Sequence, residues 1–237
     1  MLATVNSPVG WSKGKRKRRP MRDLFQKELS EVQERLVDLS ATVTEIMSKA
    51  SAAFLSSDVK KADEAIALCE INEERALVID EMAIRILTTQ APVARDLRVL
   101  VAALRISASL ERMGALAGHI ATIARFRYPE SAVPKSLVKT FTEMGELDVA
   151  LGKKLTKLLK NTDLDLARSI QAEDARVDEL HRSVFDTVLS PKWKENALHT
   201  VDVTLASRYH ERFADHVVDI SAKVAYLTTG DWSELEG

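Results

Sequence analysis

Residues 111–115 read Glu-Arg-Met-Gly-Ala, and 100 positions later residues 211–215 read Glu-Arg-Phe-Ala-Asp. Both stretches lie in long segments whose apolar side chains recur every three or four positions, the spacing of an amphipathic helix. His119 and Asp219 occupy matching places beyond the two stretches. Similar helices at a fixed distance indicate an internal repeat. The sequence therefore predicts an all-α fold, a tandem repeat of two antiparallel three-helix bundles.

The helical spacing divides the chain after its first 20 residues into six segments, with a proline-bearing break at residues 128–134 in the middle. The segments span about 22–55, 57–87, 92–126, 135–160, 163–189 and 194–227. Asp58 is expected to cap the second helix, and Pro92 suits the first turn of the third. We expect a first bundle over residues 21–130 and a second over residues 131–237.

The composition is typical of a helical bundle in a reducing compartment. Of the 237 residues 46% are hydrophobic, only 5% are aromatic and only eight are glycine. The one cysteine, Cys69, excludes an intramolecular disulfide. No apolar run approaches the ~20 residues that a transmembrane helix needs. We therefore expect a cytoplasmic protein without direct membrane insertion.

The charge is distributed unevenly. Residues 1–20 hold six of the 34 Lys and Arg and no acid, which leaves 28 basic against 35 acidic side chains from Met21 onward. An acidic body argues against nucleic-acid binding, which needs a basic face. The basic head is typical of an arm for nucleic acid or an anionic membrane. The preferred interpretation is a disordered extension, with Met21 as the natural first residue.

Two rows of acids at four-residue spacing are candidate metal ligands. The sixth segment has Glu211, Asp215 and Asp219, and the fifth has Asp174 and Asp178. Acids four apart stack on one helix face, and their repulsion costs roughly 0.2–0.5 kcal/mol per pair unless a positive charge is present. Facing rows would offer oxygen donors to Mg²⁺, Ca²⁺, Mn²⁺ or Fe. The alternative is a solvated acidic face whose partners are neighbouring arginines.

The first half has weaker counterparts. Glu73 and Glu111 are retained as carboxylates, Cys69 and Ala115 replace acids, and His119 stands where the second half has Asp219. A Cys, Glu, Glu and His set is compatible with zinc. We prefer the interpretation that this half has lost its site and that the cysteine packs as a small apolar residue.

The chain resembles the PhoU family from residue 21 to about residue 230. Residues 90–98 read Gln-Ala-Pro-Val-Ala-Arg-Asp-Leu-Arg, which is similar to the family's Gln-Pro-Val-Ala-x-Asp-Leu-Arg segment apart from Ala91. The two Glu-Arg stretches and the acid pair within residues 173–178 complete the resemblance. The form of the two stretches looks like an actinobacterial variant of the family.

The resemblance implies a pair of three-helix bundles, often dimeric, with metal clusters on acidic helix faces. It implies a regulator on the cytoplasmic side of the phosphate ABC transporter that contacts the transporter ATPase and a sensor histidine kinase. Such a regulator keeps phosphate-starvation genes off when phosphate is plentiful. Carried over by position, the metal ligands would be Asp174, Asp178, Glu211, Asp215 and Asp219. The first half departs from the pattern, so we expect about one site or cluster per chain, holding Fe, Mn, Mg, Ca or Zn.

Other functions fit the sequence less well. The chain lacks the Glu-x-x-His pair of di-iron bundles, a phosphate-cradling glycine loop and a nucleophile with a nearby His, so it is not expected to be an enzyme. His210-Glu211 is similar to the phospho-accepting segment of two-component kinases, which leaves a histidine phosphotransfer or dimerisation module as an alternative. A metal-binding bundle of unrelated role, or a DNA-binding regulator that uses the basic head, are further alternatives.

Overall fold

The computed structural model describes residues 18–229, with side chains described from residue 23 onward. All six elements in this range are helices. They are α1 (Arg18–Ser56), α2 (Val59–Gln90), α3 (Arg95–Arg127), α4 (Val138–Asn161), α5 (Leu164–Val188) and α6 (Ala197–Thr229). The predicted all-α fold is confirmed. The prediction for the basic head falls on residues 1–17, outside the described residues, and at Arg18–Pro20, which belong to α1.

The helix starts follow local chemistry. Asp58 caps α2 as predicted, because its side chain accepts a hydrogen bond of 3.1 Å from the Lys61 backbone N–H. Asp163 caps α5 in the same way. α3 begins at Arg95 rather than near Pro92, because Ala91 and Ala94 have positive φ angles of 44° and 48°. A helix cannot run through left-handed backbone, so the proline lies in the connection.

α1 and α4 pack against each other in antiparallel orientation and join the two halves. The hydroxyls of Ser40 and Thr156 share a hydrogen bond of 2.9 Å. Eleven residues further along α1, Ser51 lies against Gly145, eleven residues earlier in α4. The opposite direction of the two steps establishes the antiparallel orientation.

α3 and α6 form the second antiparallel contact between the halves. Ser109 donates a hydrogen bond of 3.4 Å to Asp219, and the rings of His119 and Tyr209 lie 5.2 Å apart. α2 packs on α1 and α3, whereas α5 packs on α4 and α6. The molecule is therefore a central layer of α1, α3, α4 and α6 with α2 and α5 at opposite flanks.

The two halves repeat in three dimensions. Lys49 binds Glu64 with 2.7 Å between Nζ and Oε2, and Lys154 binds Ser169 with 2.5 Å between Nζ and Oγ. Each residue of the second pair follows its counterpart by 105 positions. We call α1–α3 the first repeat and α4–α6 the second repeat. Positions correspond at 105 residues for the first two helices of each repeat and at 100 residues for the third.

One apolar core runs through both repeats. Phe54 of α1 and Phe141 of α4 are fully buried and meet with their rings 5.1 Å apart, edge to face. The connection between α3 and α4 also contributes to this core through Ala132 and Val133. None of the described helices is long and apolar enough to cross a membrane.

Candidate functional site

Four of the predicted acids lie together on the second repeat, Asp174 and Asp178 on α5 and Glu211 and Asp215 on α6. Burial, followed by the charges of Asp178, Asp215 and Glu211, raises the pKa of Asp174 to about 6. Like charges act on each other in this way only when they lie close together. The two predicted rows therefore face each other, and we call these four residues the acidic face.

Glu211 is the most enclosed of the four. Its side chain is 12% exposed, and Arg208 forms an ion pair with its Oε1 atom. The second oxygen, Oε2, is buried and has no hydrogen-bond partner among the described residues. Burial and the charge of Asp215 raise the pKa of Glu211. A buried carboxylate oxygen without a donor is poised to accept a cation or a proton.

The remaining acids of the face are more open. Asp178 is half-buried, and Asp215 forms an ion pair of 3.6 Å with Arg212. Between residues 18 and 229, no group of three or more His, Cys, Asp or Glu side chains is arranged to hold a metal ion. The four acids share a face but do not converge on one point. Two of them, Glu211 and Asp215, form ion pairs with arginines of α6.

Asp219 lies apart from the acidic face. It is exposed, accepts the Ser109 hydroxyl hydrogen bond from α3 and forms an ion pair with Lys223. Four residues of an α-helix turn through about 400°, so each step of four rotates the side chain by about 40°. Asp219 is two such steps from Glu211, so its side chain is rotated by about 80° and faces α3 instead of α5.

A buried acid lies behind this face and was not predicted from the sequence. Asp148 of α4 is fully buried, and its Oδ2 accepts a hydrogen bond of 2.7 Å from Nδ1 of His210, which is also fully buried. Burial raises the pKa of Asp148 to about 6, against the opposing influence of His210. The signal in the sequence was one acid within the apolar stripe of α4, three residues before Leu151 and seven after Phe141.

The burial of His210 bears on the phosphotransfer alternative. Its ring is 1% exposed and packs 6.0 Å from the ring of Phe141. A phospho-accepting histidine has to be reached by a phosphodonor, and this ring is enclosed. The structure therefore disfavours phosphotransfer through His210 in the folded chain.

The acidic face has the right chemistry for a hard cation. Carboxylate oxygens are the donors that Mg²⁺, Ca²⁺ and Mn²⁺ prefer. The orphaned Oε2 of Glu211 and the raised pKa of Asp174 both indicate excess negative charge without enough compensation. The chemistry of these donors therefore suits a metal ion, although the four carboxylates are not gathered around one point among the described residues.

In the first repeat the place that corresponds to the acidic face is filled by a packed cysteine. The thiol of Cys69, the counterpart of Asp174, lies 3.3 Å from the carbonyl oxygen of Ala65 and 3.4 Å from that of Gly114, and it can donate its one proton to either. Burial raises its pKa to about 11, with smaller contributions from nearby glutamates. A thiol with this pKa is protonated at neutral pH and is a poor metal ligand. These contacts support the interpretation that Cys69 packs as a small core residue.

The other candidate metal ligands of the first repeat do not lie together. Glu73 and Glu111 are exposed, and His119 contacts Tyr209 on α6. Asn72 fills the space beside Gly114, where its amide donates to the Glu111 carbonyl at 3.4 Å. The predicted zinc-type set of Cys69, Glu73, Glu111 and His119 therefore forms no site in the described residues.

The segment that carried the sequence resemblance lies elsewhere. It connects α2 to α3, and its residues 90–93, 95 and 96 line a groove of ≈ 1250 Å³ together with the ends of α1, α4 and α6. Val93 in this segment is 75% exposed. None of the acidic-face residues lines the groove in the described part of the chain. The segment and the acidic face are separate surface features.

Comparison with protein families decides the affiliation. The model of the PhoU domain matches residues 36–124 and again residues 141–224, one match in each repeat. This chain belongs to the PhoU family. The family consists of phosphate transport accessory and regulatory proteins and is non-enzymatic. The expectation that the chain is not an enzyme is confirmed by this membership.

Relatives of this PhoU-family chain match it almost end to end. "Phosphate-specific transport system accessory protein PhoU homolog 2" of Mycobacterium tuberculosis is 39% identical over 210 residues, 89% of this chain and 99% of the relative. "Phosphate-specific transport system accessory protein PhoU homolog 1" of Mycobacterium leprae is 37% identical over 214 residues, 90% and 96% of the two chains. These relatives agree with the predicted actinobacterial type.

Solved structures support the same fold. PhoU from Pseudomonas aeruginosa superimposes with a TM-score of 0.79 at 25% identity, covering 87% of this chain and 100% of that one. The phosphate transport system regulatory protein PhoU from Streptococcus pneumoniae gives a TM-score of 0.78 at 24% identity, with 87% and 98% covered. The predicted two-bundle PhoU fold is confirmed.

Proposed function

We propose that this chain regulates phosphate uptake and represses the phosphate-starvation response when phosphate is plentiful. The observation that carries the proposal is the PhoU match in both repeats, together with mycobacterial relatives named as phosphate-specific transport accessory proteins. In this role the chain acts in the cytoplasm and couples the ATPase subunit of the phosphate ABC transporter to a sensor histidine kinase.

The proposed mode of action is binding rather than chemistry. The chain acts as a homodimer whose helical faces contact the transporter and the kinase, without nucleic acid and without insertion into the membrane. The excess of acids from Met21 onward favours protein partners over nucleic acid.

A cation site in the second repeat is part of the proposal. Four acids supply the ligands, since they share one face and Glu211 keeps a buried oxygen without a partner among the described residues: Asp174, Asp178, Glu211 and Asp215. Asp219 joins them only by leaving Ser109 and Lys223, so we place it outside the immediate ligand set. We propose one site or cluster per chain and none in the first repeat.

Gene deletion tests the regulatory role. A strain without this gene should keep phosphate-responsive genes expressed, and phosphate uptake high, in rich phosphate medium. Mycobacterium tuberculosis has both a homolog 1 and a homolog 2, so any second copy must be deleted as well. Expression of the wild-type chain should restore repression. Normal repression in the complete deletion strain would contradict the proposed function.

The partners are tested by affinity capture. A tagged chain isolated from phosphate-replete cells should bring down the transporter ATPase and a sensor kinase. A matched control is the same capture from cells that lack the transporter operon, where the ATPase is absent and the kinase should remain. Recovery of neither partner from replete cells would argue against coupling through direct contact.

A further inference from the structure

The buried pair of Asp148 and His210 is the feature that the fold does not explain. The corresponding positions in the first repeat are Val43 and Leu110, which are 1% and 0% exposed. The same bundle geometry is therefore built with two apolar side chains in one repeat and with an acid and a histidine in the other.

The polar pair is not explained by a gain in the stability of the fold. Removing two ionisable groups from water is expensive, and apolar pairs of similar volume are often equally or more stable. One hydrogen bond of 2.7 Å joins the pair, but Oδ1 of Asp148 and Nε2 of His210 are both buried without partners among the described residues. A half-satisfied buried polar group in a native protein calls for a functional explanation.

The position of the pair supplies that explanation. His210 immediately precedes Glu211 on α6, and Asp148 lies near enough for its charge to act on Asp174 of α5. The hydrogen bond thus links α4 to α6 directly beside Glu211, and α4 also packs on α5, the other helix of the acidic face. It occurs in the repeat that retains the acids and is absent from the repeat that has lost them.

We propose that Asp148 and His210 are positioning residues of the second-repeat cation site. The hydrogen bond to Asp148 fixes the His210 ring and with it the orientation of α6 at Glu211. The Asp148 carboxylate adds negative charge behind the ligands without touching the ion. The inference rests on the proposed cation site and extends it to a third helix.

Replacing the pair with its first-repeat counterparts separates this role from a structural one. The variant Asp148→Val/His210→Leu should unfold at the same temperature as the metal-free wild type, or higher, because the apolar pair packs in this geometry. Its affinity for Mn²⁺, measured by calorimetric titration of the metal-free chain, should fall about tenfold or more, as is usual when the support behind metal ligands is removed. The single variant Asp148→Asn keeps the side-chain shape and should also bind Mn²⁺ more weakly.

A matched control is Asp202→Asn, which alters a buried acid of α6 that pairs with Arg127 away from the acidic face. It should lower the unfolding temperature and leave the Mn²⁺ affinity unchanged. Mn²⁺ affinities within twofold of wild type in both Asp148 variants would overturn the inference while the cation site stands. A wild-type chain that binds neither Mn²⁺ nor Mg²⁺, Ca²⁺, Fe²⁺ or Zn²⁺ would overturn the cation site and this inference with it.

Discussion

The Sγ atom of Cys69 lies 2.6 Å from the point that a Cβ atom on Gly118 would occupy. α2 and α3 therefore touch at a place where only a glycine fits, and the cysteine fills the remaining space. The corresponding residues of the second repeat are Asp174 and Val218. In the first repeat α2 and α3 therefore pack closely at the position where, in the second repeat, α5 and α6 carry the acidic face.

This contact makes Gly118 intolerant of a side chain. Gly118→Ala should destabilise the chain by about 1–2 kcal/mol, because displacing the thiol or separating the helices costs more than the about 1 kcal/mol that alanine gains over glycine within a helix. At about 2–4 °C per kcal/mol for a chain of this size, the loss is visible in thermal unfolding.

Making room for the new methyl group should rescue the variant. The double variant Cys69→Ala/Gly118→Ala should recover most of the loss, so the two effects are non-additive in a double-mutant cycle. If the losses in the free energy of unfolding, measured in urea, simply add, the two side chains are not in contact in solution.

The ion pair of Arg127 and Asp202 joins the end of α3 to the start of α6. Its side chains are 21% and 6% exposed, and a second bond from Arg127 Nη2 to Asp202 Oδ1 measures 3.0 Å. Asp202→Ala leaves a partly buried guanidinium without its partner and should cost about 3 kcal/mol. Asp165→Ala, which removes an exposed pair with Arg168, should cost less than about 1 kcal/mol and is the control. Equal losses would contradict the difference in burial.

The raised pKa of Asp174 predicts a pH dependence of cation binding. Its pKa of about 6 in the folded chain lies above the value of about 4 that an aspartate has in an unfolded chain. The metal-free folded chain therefore binds a proton that the unfolded chain releases, so this group favours folding at low pH and opposes it as the pH rises from about 4 to 6. A cation competes with that proton, so the gain in unfolding temperature with Mn²⁺ should grow as the pH rises through about 6.

The measurement is thermal unfolding with and without Mn²⁺ at about pH 5 and about pH 7.5. Asp174→Asn is the control, because it cannot take up the proton and should show a small gain at both values. A wild-type gain that is the same at both pH values would contradict the assignment of Asp174 as a ligand.

Much of the fold was predictable because long amphipathic helices leave a strong period in the sequence. Six segments and the repeat followed from apolar spacing and from the two Glu-Arg stretches. The start of α3 was misplaced by three residues, since the left-handed backbone at Ala91 and Ala94 has no glycine to announce it. Pro92 indicated a first helical turn, whereas it lies between these two alanines in the connection.

The candidate site was predictable only along each helix. Spacing of four placed Asp174 above Asp178 and Glu211 above Asp215, and the facing of the two rows followed from the bundle. Asp148 could not be paired with His210 in this way, since they are 62 residues apart and meet only through the packing of α4 on α6. The spacing of four also placed Asp219 in one row with Glu211, whereas the rotation along the helix turns Asp219 away from the acidic face.

The most direct test of the central claim counts the cation sites of the purified chain. Metal-free wild type, Glu111→Ala and Asp215→Ala are titrated with Mn²⁺, and bound ions per chain are measured together with the unfolding temperature. We expect one site or cluster in wild type and in Glu111→Ala, with a metal-dependent rise in unfolding temperature in both, and loss of ion and rise in Asp215→Ala. Two equivalent sites per chain, or binding that survives in Asp215→Ala but disappears in Glu111→Ala, would contradict a single site in the second repeat.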